Sequence, residues 1–287
     1  MTESILRYPK LFASLVRFEH TIFALPFAYV GAFLAVDGIP SAHDLVWITV
    51  AMAGARSFAM ALNRLIDRAI DARNPRTAKR ELPSGRLTRW QVVAFAMASL
   101  AVFLVAVFEL NPVVRWLWPI PVAGFVIYPY LKRATWLCHF WLGAVDGLAP
   151  VGAWVAITGQ LPWQSWLLGA AVALWITGFD VLYALWDVEI DRAERLHSIP
   201  ARFGVEISFW VSRACHVGAV VLLICVGLGL PVGALYWLGV AAVACLLGYE
   251  QSLVSPRDLR RLDMAFFTMN GVISIVFLVF VLGDVLT

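Results

Sequence analysis

The chain has 287 residues, of which 61% are hydrophobic and only 14% are charged. A soluble domain has roughly a quarter charged residues, so this composition excludes an ordinary soluble globular protein. The formal net charge of +3 is too small to indicate nucleic-acid binding. Because each membrane crossing takes about 20 apolar residues, the length leaves no room for a sizeable domain outside the membrane. We therefore expect one domain, residues 1–287, embedded in the lipid bilayer.

Nine apolar segments, separated by charged or turn-forming residues, are predicted to cross the membrane as helices. In chain order they are 12–36, 45–68, 90–109, 113–131, 135–158, 163–188, 207–229, 231–250 and 264–285. Gly and Pro divide two long uncharged runs, at 159–162 and 229–231. The predicted fold class is an all-α transmembrane bundle of nine helices with cytoplasmic cap loops. The sequence does not indicate the oligomeric state.

Lys and Arg residues are distributed asymmetrically between the two sides of this nine-span arrangement. Sixteen of them lie in the N-terminal segment, with Arg7 and Lys10, and in loops 69–89, 132–134, 189–206 and 251–263, and none lies in the opposite loops. Basic residues accumulate in cytoplasmic loops. We therefore expect the N-terminus in the cytoplasm and the C-terminus on the outer side of the cell membrane.

Two stripes of polar residues lie at the cytoplasmic ends of the second and sixth predicted spans, where ionisable groups are costly and mark functional positions. Their members recur every four residues, as on one face of a helix: Asn63, Asp67 and Asp71 in the first stripe, and Tyr183, Asp187 and Asp191 in the second. An offset of 120 residues superimposes the two aspartate pairs, which hints at a duplicated unit.

Carboxylate oxygens are ligands that Mg²⁺ prefers, and two facing stripes can hold two Mg²⁺ ions around a diphosphate. The predicted metal ligands are Asn63, Asp67, Asp71, Asp187 and Asp191, and the four aspartates are also the predicted catalytic residues. The loops that follow supply donors for the same anion: Arg73, Arg76, Lys79 and Arg80 after the first stripe, and Arg192, Arg195, Ser198 and Arg202 after the second. The alternative is that the aspartates are only solvated charges at helix ends.

The motif Asn63-Arg64-x-x-Asp67-x-x-x-Asp71, together with Asp187-x-x-x-Asp191, resembles the UbiA superfamily of intramembrane prenyltransferases. The resemblance extends to residues 17–26 and 197–204 and to the nine-span layout. It implies a helical bundle around a central cavity, capped by the 2–3 and 6–7 loops. It also implies Mg²⁺-dependent transfer of a polyprenyl group from polyprenyl diphosphate to an aromatic acceptor.

Within that superfamily the N-terminal segment is most like that of bacterial proteins acting on 4-hydroxybenzoate or 1,4-dihydroxy-6-naphthoate in ubiquinone or menaquinone biosynthesis. The resemblance makes Arg64 and the loop donors Lys79, Ser198 and Arg202 candidate substrate-binding residues. Tyr183 is our candidate for sheltering an allylic cation by a cation–π contact; its alternative role is ordinary helix packing.

Arg56 lies seven residues before Asn63, on the same helical face, and should also face the cavity. An arginine at that depth can bind the carboxylate of an acceptor, or it can form a structural ion pair with Asp146 or Asp180. The competing function is a secondary transporter that uses intramembrane carboxylates. Against it, the acids gather at one membrane face beside basic loops rather than at the midplane.

Overall fold

The computed structural model describes residues 11–16 and 21–287. The regular secondary structure of these residues is helical, with no β-strand among them apart from one isolated bridge between Ser255 and Asp258. We number the described helices of 13 or more residues in chain order. They are α1 Thr21–Val36, α2 Ala42–Ile66, α3 Arg89–Glu109, α4 Pro119–Leu131, α5 Cys138–Thr158, α6 Trp163–Tyr183, α7 Val205–Leu228, α8 Ala234–Leu253 and α9 Asn270–Val285.

The predicted all-α membrane fold is confirmed. Seven helical segments among the described residues are long and apolar enough to cross a bilayer, with α9 counted from Phe267, three residues before its α-helical part. The other two, α1 and α4, have 16 and 13 residues and are shorter than the roughly 20 residues of a full crossing. The count of nine spans therefore stays a prediction. Arg7, Lys10 and residues 17–20 of the motif-bearing first span lie outside the described residues.

Three predicted spans are interrupted near their ends. Val114–Leu117 precedes α4, which begins at Pro119 because proline lacks the N–H that a continuing helix would need. α6 ends at Tyr183 and is followed by a 3₁₀ turn, Ala184–Asp187, and a short helix, Val188–Ala193. The last span opens with a π-helical turn, Met264–Met269.

Helix α5 packs against α1 on one side and α6 on the other, and α6 continues the packing to α7. The contact between α5 and α6 depends on small residues. A Cβ atom on Gly143 would lie 2.2 Å from the carbonyl oxygen of Ala173, and one on Gly147 would lie 2.4 Å from that of Gly169. Close approach through glycine is typical of helix pairs in membranes. It brings the start of α5 beside the end of α6.

The loops rich in basic residues meet at one end of the bundle. Loop 74–88 is anchored there by Leu82 and Leu87, which pack with Phe58 of α2. Loop 254–263 is anchored by Leu262, which packs with Leu182 at the end of α6. Contacts described below join loops 132–134 and 189–206 to the same end. These four loops were predicted to lie on one side of the membrane, and the structure agrees. Which side faces the cytoplasm stays a prediction.

Candidate active site

The first stripe keeps its helical spacing although α2 ends inside it. Asp67 is the C-cap of α2 with φ −87° and ψ 3°, and the short helix Arg68–Arg73 follows it. The backbone N–H of Asp67 still donates to the carbonyl of Asn63 (2.9 Å), and that of Asp71 donates to the carbonyl of Asp67 (2.8 Å). Because both i to i−4 bonds persist, the three side chains keep one face, as the spacing predicts.

The second stripe breaks at the equivalent residue. Asp187 has φ −106° and ψ 4°, and it separates the 3₁₀ turn after α6 from the helix Val188–Ala193. Asp67 and Asp187, which the offset of 120 residues superimposes, therefore share the same sparsely populated backbone region. The likeness of the two segments thus extends from the aspartate spacing to the local backbone, and the internal duplication stays a prediction.

Each of the four aspartates accepts hydrogen bonds from a residue of the cap. Asp67 is bound by Lys132 Nζ (2.5 Å) and by Arg133 Nη2 (3.0 Å), both from the connection between α4 and α5. Asp71 Oδ1 accepts from Arg80 Nη1 (2.8 Å). Asp187 is paired with Arg76 and Asn74, and Asp191 Oδ2 accepts from Ser198 Oγ (2.6 Å).

The donor set of the site suits a hard divalent cation. Oδ2 of the buried Asp71 has no hydrogen-bond partner. Among the described residues, no three Asp, Glu, His or Cys side chains lie together closely enough to hold a metal by themselves. Mg²⁺ usually takes only one or two carboxylates from the protein and completes its shell with water and substrate phosphate. The paired aspartates fit that pattern.

One exposed ion pair joins the two cap loops above these aspartates. Arg73 donates from Nε and Nη2 to the two carboxylate oxygens of Glu194, at 2.6 and 2.5 Å. These hydrogen bonds hold the pKa of Glu194 below its ordinary value. The pair therefore persists at neutral pH and is lost only in acid. Because Arg73 is exposed and Glu194 is only partly buried, we expect the pair to contribute little to stability.

A cavity of about 620 Å³ opens from this polar end into the bundle. Most predicted site residues line it: Arg56, Asn63, Arg64, Asp67, Asp71, Tyr183, Asp187 and Asp191. Three predicted substrate-binding residues do not. Lys79 and Arg202 are exposed, and Ser198 is buried behind Asp191. Of the loop donors predicted with them, Arg76 and Arg80 do line the cavity, and Lys132 lines it as well.

Beyond the aspartates the cavity wall is largely apolar. It is formed mainly by α2 to α6 and reaches the opposite end of the bundle, where it includes Ile48, Phe103, Leu110, Trp118, Leu161 and Trp166. The cavity thus combines a charged mouth with a long apolar interior. Such a shape accommodates an amphiphile with an anionic head and a hydrocarbon tail.

Arg56 faces the middle of this cavity, and its buried Nε has no hydrogen-bond partner. Asp146 also lines the cavity and is close enough to interact with Arg56 electrostatically, without an ion pair within 4.0 Å. Asp180 is instead bound to His139, Oδ2 to Nδ1, at 2.7 Å. Of the two partners proposed for Arg56, only Asp146 is therefore available.

Several residues that contact aspartates of the site or its surroundings were not predicted from the sequence. Lys132 and Arg133 were counted only as evidence for orientation, although a basic pair in a three-residue loop must lie at the cap. Asn74 bonds Asp187 Oδ1 at 2.8 Å, and its signal was a polar residue three positions after Asp71. No spacing marks His139, whose partners are distant in the sequence.

Comparison with known proteins gives concordant matches over most of the chain. Residues 24–272 match the UbiA prenyltransferase family. A 4-hydroxybenzoate octaprenyltransferase from Marinobacter nauticus is 34% identical over 271 residues, which cover 93% of this chain and 92% of that protein. A 4-hydroxybenzoate octaprenyltransferase from Ralstonia nicotianae is 30% identical over 251 residues, or 86% of each chain.

Solved structures share the fold. The apo structure of a UbiA homologue from Aeropyrum pernix K1 superimposes with a TM-score of 0.81 at 34% identity, covering 90% of this chain and 95% of that one. A UbiA homologue from Archaeoglobus fulgidus bound to GPP and Mg²⁺ gives a TM-score of 0.74 at 19% identity, covering 96% and 100%. At that identity the likeness concerns the fold alone.

Proposed function

Since the chain belongs to the UbiA prenyltransferase family, as its motifs predicted, we propose that it transfers a polyprenyl group from polyprenyl diphosphate to an aromatic acceptor. The acceptor is of the 4-hydroxybenzoate or dihydroxynaphthoate type, and the product serves ubiquinone or menaquinone biosynthesis. One observation carries this proposal: a single cavity joins two aspartate pairs and their basic partners to a long apolar interior.

The aspartates and basic residues form the diphosphate end of the site. Asp67, Asp71, Asp187 and Asp191 would hold Mg²⁺, with Asn63 beside them on the first stripe. When bound there, Mg²⁺ supplies neutralisation of the negative charge on the diphosphate leaving group. The basic residues that line the same wall, Arg76, Arg80 and Lys132, donate charge-assisted hydrogen bonds to phosphate oxygens.

The apolar interior holds the prenyl chain and protects the reacting carbon. Tyr183 lines the cavity between the two parts, and the guanidinium of Arg76 lies 5.3 Å from the centroid of its ring. The ring already faces one cation in this structure, and the same kind of contact would stabilise an allylic cation beside it by about 0.5–2 kcal/mol. Apolar walls exclude water, which would otherwise capture an allylic cation in place of the aromatic carbon.

The acceptor lies deeper, next to Arg56. An unsatisfied buried guanidinium N–H in a cavity is matched by a carboxylate, which accepts hydrogen bonds and compensates the charge. Asp146, on the facing wall, offsets part of that charge when no acceptor is bound. We place the protein in the cell membrane with the N-terminus and the caps in the cytoplasm, because the basic loops meet at the cap end.

The test is an assay of the purified protein in lipid nanodiscs with a polyprenyl diphosphate, Mg²⁺ and a panel of aromatic acids and their neutral analogues. We expect prenylated 4-hydroxybenzoate or dihydroxynaphthoate and release of diphosphate, both abolished by EDTA and restored by Mg²⁺. Substrate transport by the protein in liposomes without diphosphate release would favour the transporter instead. Prenyl transfer that persists in EDTA would contradict the metal assignment.

A further inference from the structure

A buried histidine that has no part in the proposed reaction connects the bundle to the second cap loop. His139 lies in the first turn of α5 and is 5% exposed. Its Nδ1 lies 2.7 Å from Oδ2 of Asp180 on α6. Its Nε2 accepts a hydrogen bond from the backbone N–H of Ile199, 3.3 Å away and 60 residues later in the chain.

These two contacts define the tautomer of the imidazole. A backbone N–H can only donate, so Nε2 of His139 must be the acceptor. The ring proton is therefore on Nδ1, where it donates to the carboxylate of Asp180. In this form the imidazole is a rigid link with one donor and one acceptor, and both are used.

The N–H that His139 binds is the first one of a short helix, Ile199–Phe203. N–H groups in the first turn of a helix have no partner within the helix and need one outside it. Ser198 caps Ala201 through Oγ (3.3 Å), and Pro200 has no N–H to satisfy. His139 binds the donor on Ile199, so the first three residues of this helix leave no N–H without a partner.

Ser198 extends the link to the aspartates. Its hydroxyl accepts from Ala201, and its single proton is donated to Oδ2 of Asp191 at 2.6 Å. The connection between α4 and α5 supports the segment at a second point, where the carbonyl of Lys132 accepts from the N–H of His197 at 2.7 Å. A continuous path of hydrogen bonds and backbone therefore runs from Asp180 through His139 to Asp191.

We propose that His139 is a positioning residue that fixes the Ser198 turn and thereby the carboxylate of Asp191. Partners that orient a metal-binding carboxylate typically change metal affinity by about 10- to 100-fold when they are removed. The proposal rests on the proposed function only in so far as Asp191 binds Mg²⁺. The support of the turn by His139 can be measured without any substrate or metal.

The first experiment is hydrogen–deuterium exchange of the N–H of Ile199 in the full chain in nanodiscs, without metal. In His139→Asn the amide nitrogen takes the place of Nδ1 and the acceptor is lost; in His139→Gln the longer side chain restores an acceptor near Nε2. We expect exchange at Ile199 to accelerate at least about tenfold in His139→Asn and to stay near wild type in His139→Gln. Unchanged protection in His139→Asn would overturn the proposal.

The second experiment measures the Mg²⁺ concentration for half-maximal activity. It should rise about 10- to 100-fold in His139→Asn and in Ser198→Ala, with little change in the KM for the acceptor. Because both variants break one path, the double variant should need no more Mg²⁺ than the more impaired of the two single variants. Additive effects, or a Mg²⁺ requirement unchanged by His139→Asn, would contradict the positioning role even if Ile199 loses protection.

His216→Asn is the matched control, since His216 is equally buried, on α7, and contacts Gln251 rather than the cap. We expect wild-type exchange at Ile199 and a wild-type Mg²⁺ requirement in this variant. If the wild-type protein shows no Mg²⁺-dependent transfer at all, the proposed function fails. The exchange measurement then decides separately whether His139 supports the turn.

Discussion

Asn74 donates a hydrogen bond from Nδ2 to Oδ1 of Asp187 across 2.8 Å, so the loop after the first aspartate pair holds a carboxylate of the second pair. Arg76, two residues further on, binds the same carboxylate through Nε and Nη2. The two aspartate stripes are therefore joined at the aspartates themselves. A movement of the first cap loop changes the surroundings of both pairs.

The aspartates provide the first prediction. Asp67→Asn and Asp187→Asn each remove a charged metal ligand with almost no change in volume. We expect each to lower Mg²⁺-dependent prenyl transfer by at least about 100-fold, more than the loss of an orienting partner costs. The measurement is the initial rate of product formation by folded protein in nanodiscs.

Asp37→Asn serves as the control for this substitution. Asp37 is exposed, follows α1 at the end of the bundle away from the caps, and has φ 47°, a conformation that Asn adopts readily. We expect wild-type activity from it. Near wild-type turnover in Asp67→Asn or Asp187→Asn would exclude the model of two metal-binding stripes.

The sequence predicted the stripes because their geometry is local. A helical repeat determines which residues share a face, and the bonds from Asp67 to Asn63 and from Asp71 to Asp67 keep that repeat through the end of α2. The spans and the sharing of one side by the basic loops were predictable for a similar reason. They follow from composition along the chain, not from contacts between distant residues.

The choice among the basic loop residues was not predictable in this way. Lys79 and Arg80 are adjacent and equally favoured by the positive-inside rule, yet Arg80 binds Asp71 while Lys79 is exposed. A turn has no repeat from which to read the direction of a side chain. Contacts such as His139 with Ile199 depend on how α5 packs against α6, which only the folded bundle determines.

Arg76 and Arg73 give a matched pair of predictions within one loop. Arg76 lines the cavity and contacts Tyr183 and Asp187, whereas Arg73 lies outside the cavity and binds Glu194. We expect Arg76→Gln to raise the KM for polyprenyl diphosphate by about tenfold or more, as expected for loss of a hydrogen bond to a charged group. Arg73→Gln should change it by less than about twofold, since exposed ion pairs contribute little.

Steady-state kinetics with the donor varied at saturating acceptor measures this difference. The depressed pKa of Glu194 adds a check on pH. Because that carboxylate becomes protonated only in acid, the contact between the caps is fully formed above its ordinary pKa. Wild type and Arg73→Gln should therefore have the same pH profile between about pH 6 and 8. Equal effects of both substitutions on the KM for polyprenyl diphosphate would show that the loop as a whole, and not Arg76 in particular, determines donor binding.

Membrane sidedness is the third prediction. Single cysteines at Ser84 and Ala193, which are exposed in the two cap loops, should react from the same side of the membrane on a background without the four native cysteines. A cysteine at Gln160, exposed in the loop between α5 and α6, should react from the other side. We expect an impermeant maleimide to label Gln160→Cys in intact cells and the other two only after permeabilisation. Labelling of Ser84→Cys in intact cells would show that the orientation is opposite to the predicted one.

Arg56 provides the last prediction, which concerns the acceptor. Its Nε is buried in the cavity without a hydrogen-bond partner, at a depth that the aspartates do not reach. If it binds the acceptor carboxylate, Arg56→Ala should raise the KM for an aromatic acid by about 10- to 100-fold, corresponding to about 1.5–3 kcal/mol. The KM for the donor should change little, because Asp67 and Asp71 remain.

To distinguish a role of Arg56 in acceptor binding from a structural role, activity is compared between an acidic and a neutral acceptor, for example 4-hydroxybenzoate and phenol. Arg115→Ala is the control, since Arg115 is exposed, outside the cavity, and bound to the carbonyl of Phe108. A role in acceptor binding requires the loss in Arg56→Ala to fall on the acid and to spare the neutral ring. Equal losses on both acceptors would mean that Arg56 acts with Asp146 to hold α2 against α5, because removing one partner of a buried charge pair destabilises the wall whatever the substrate.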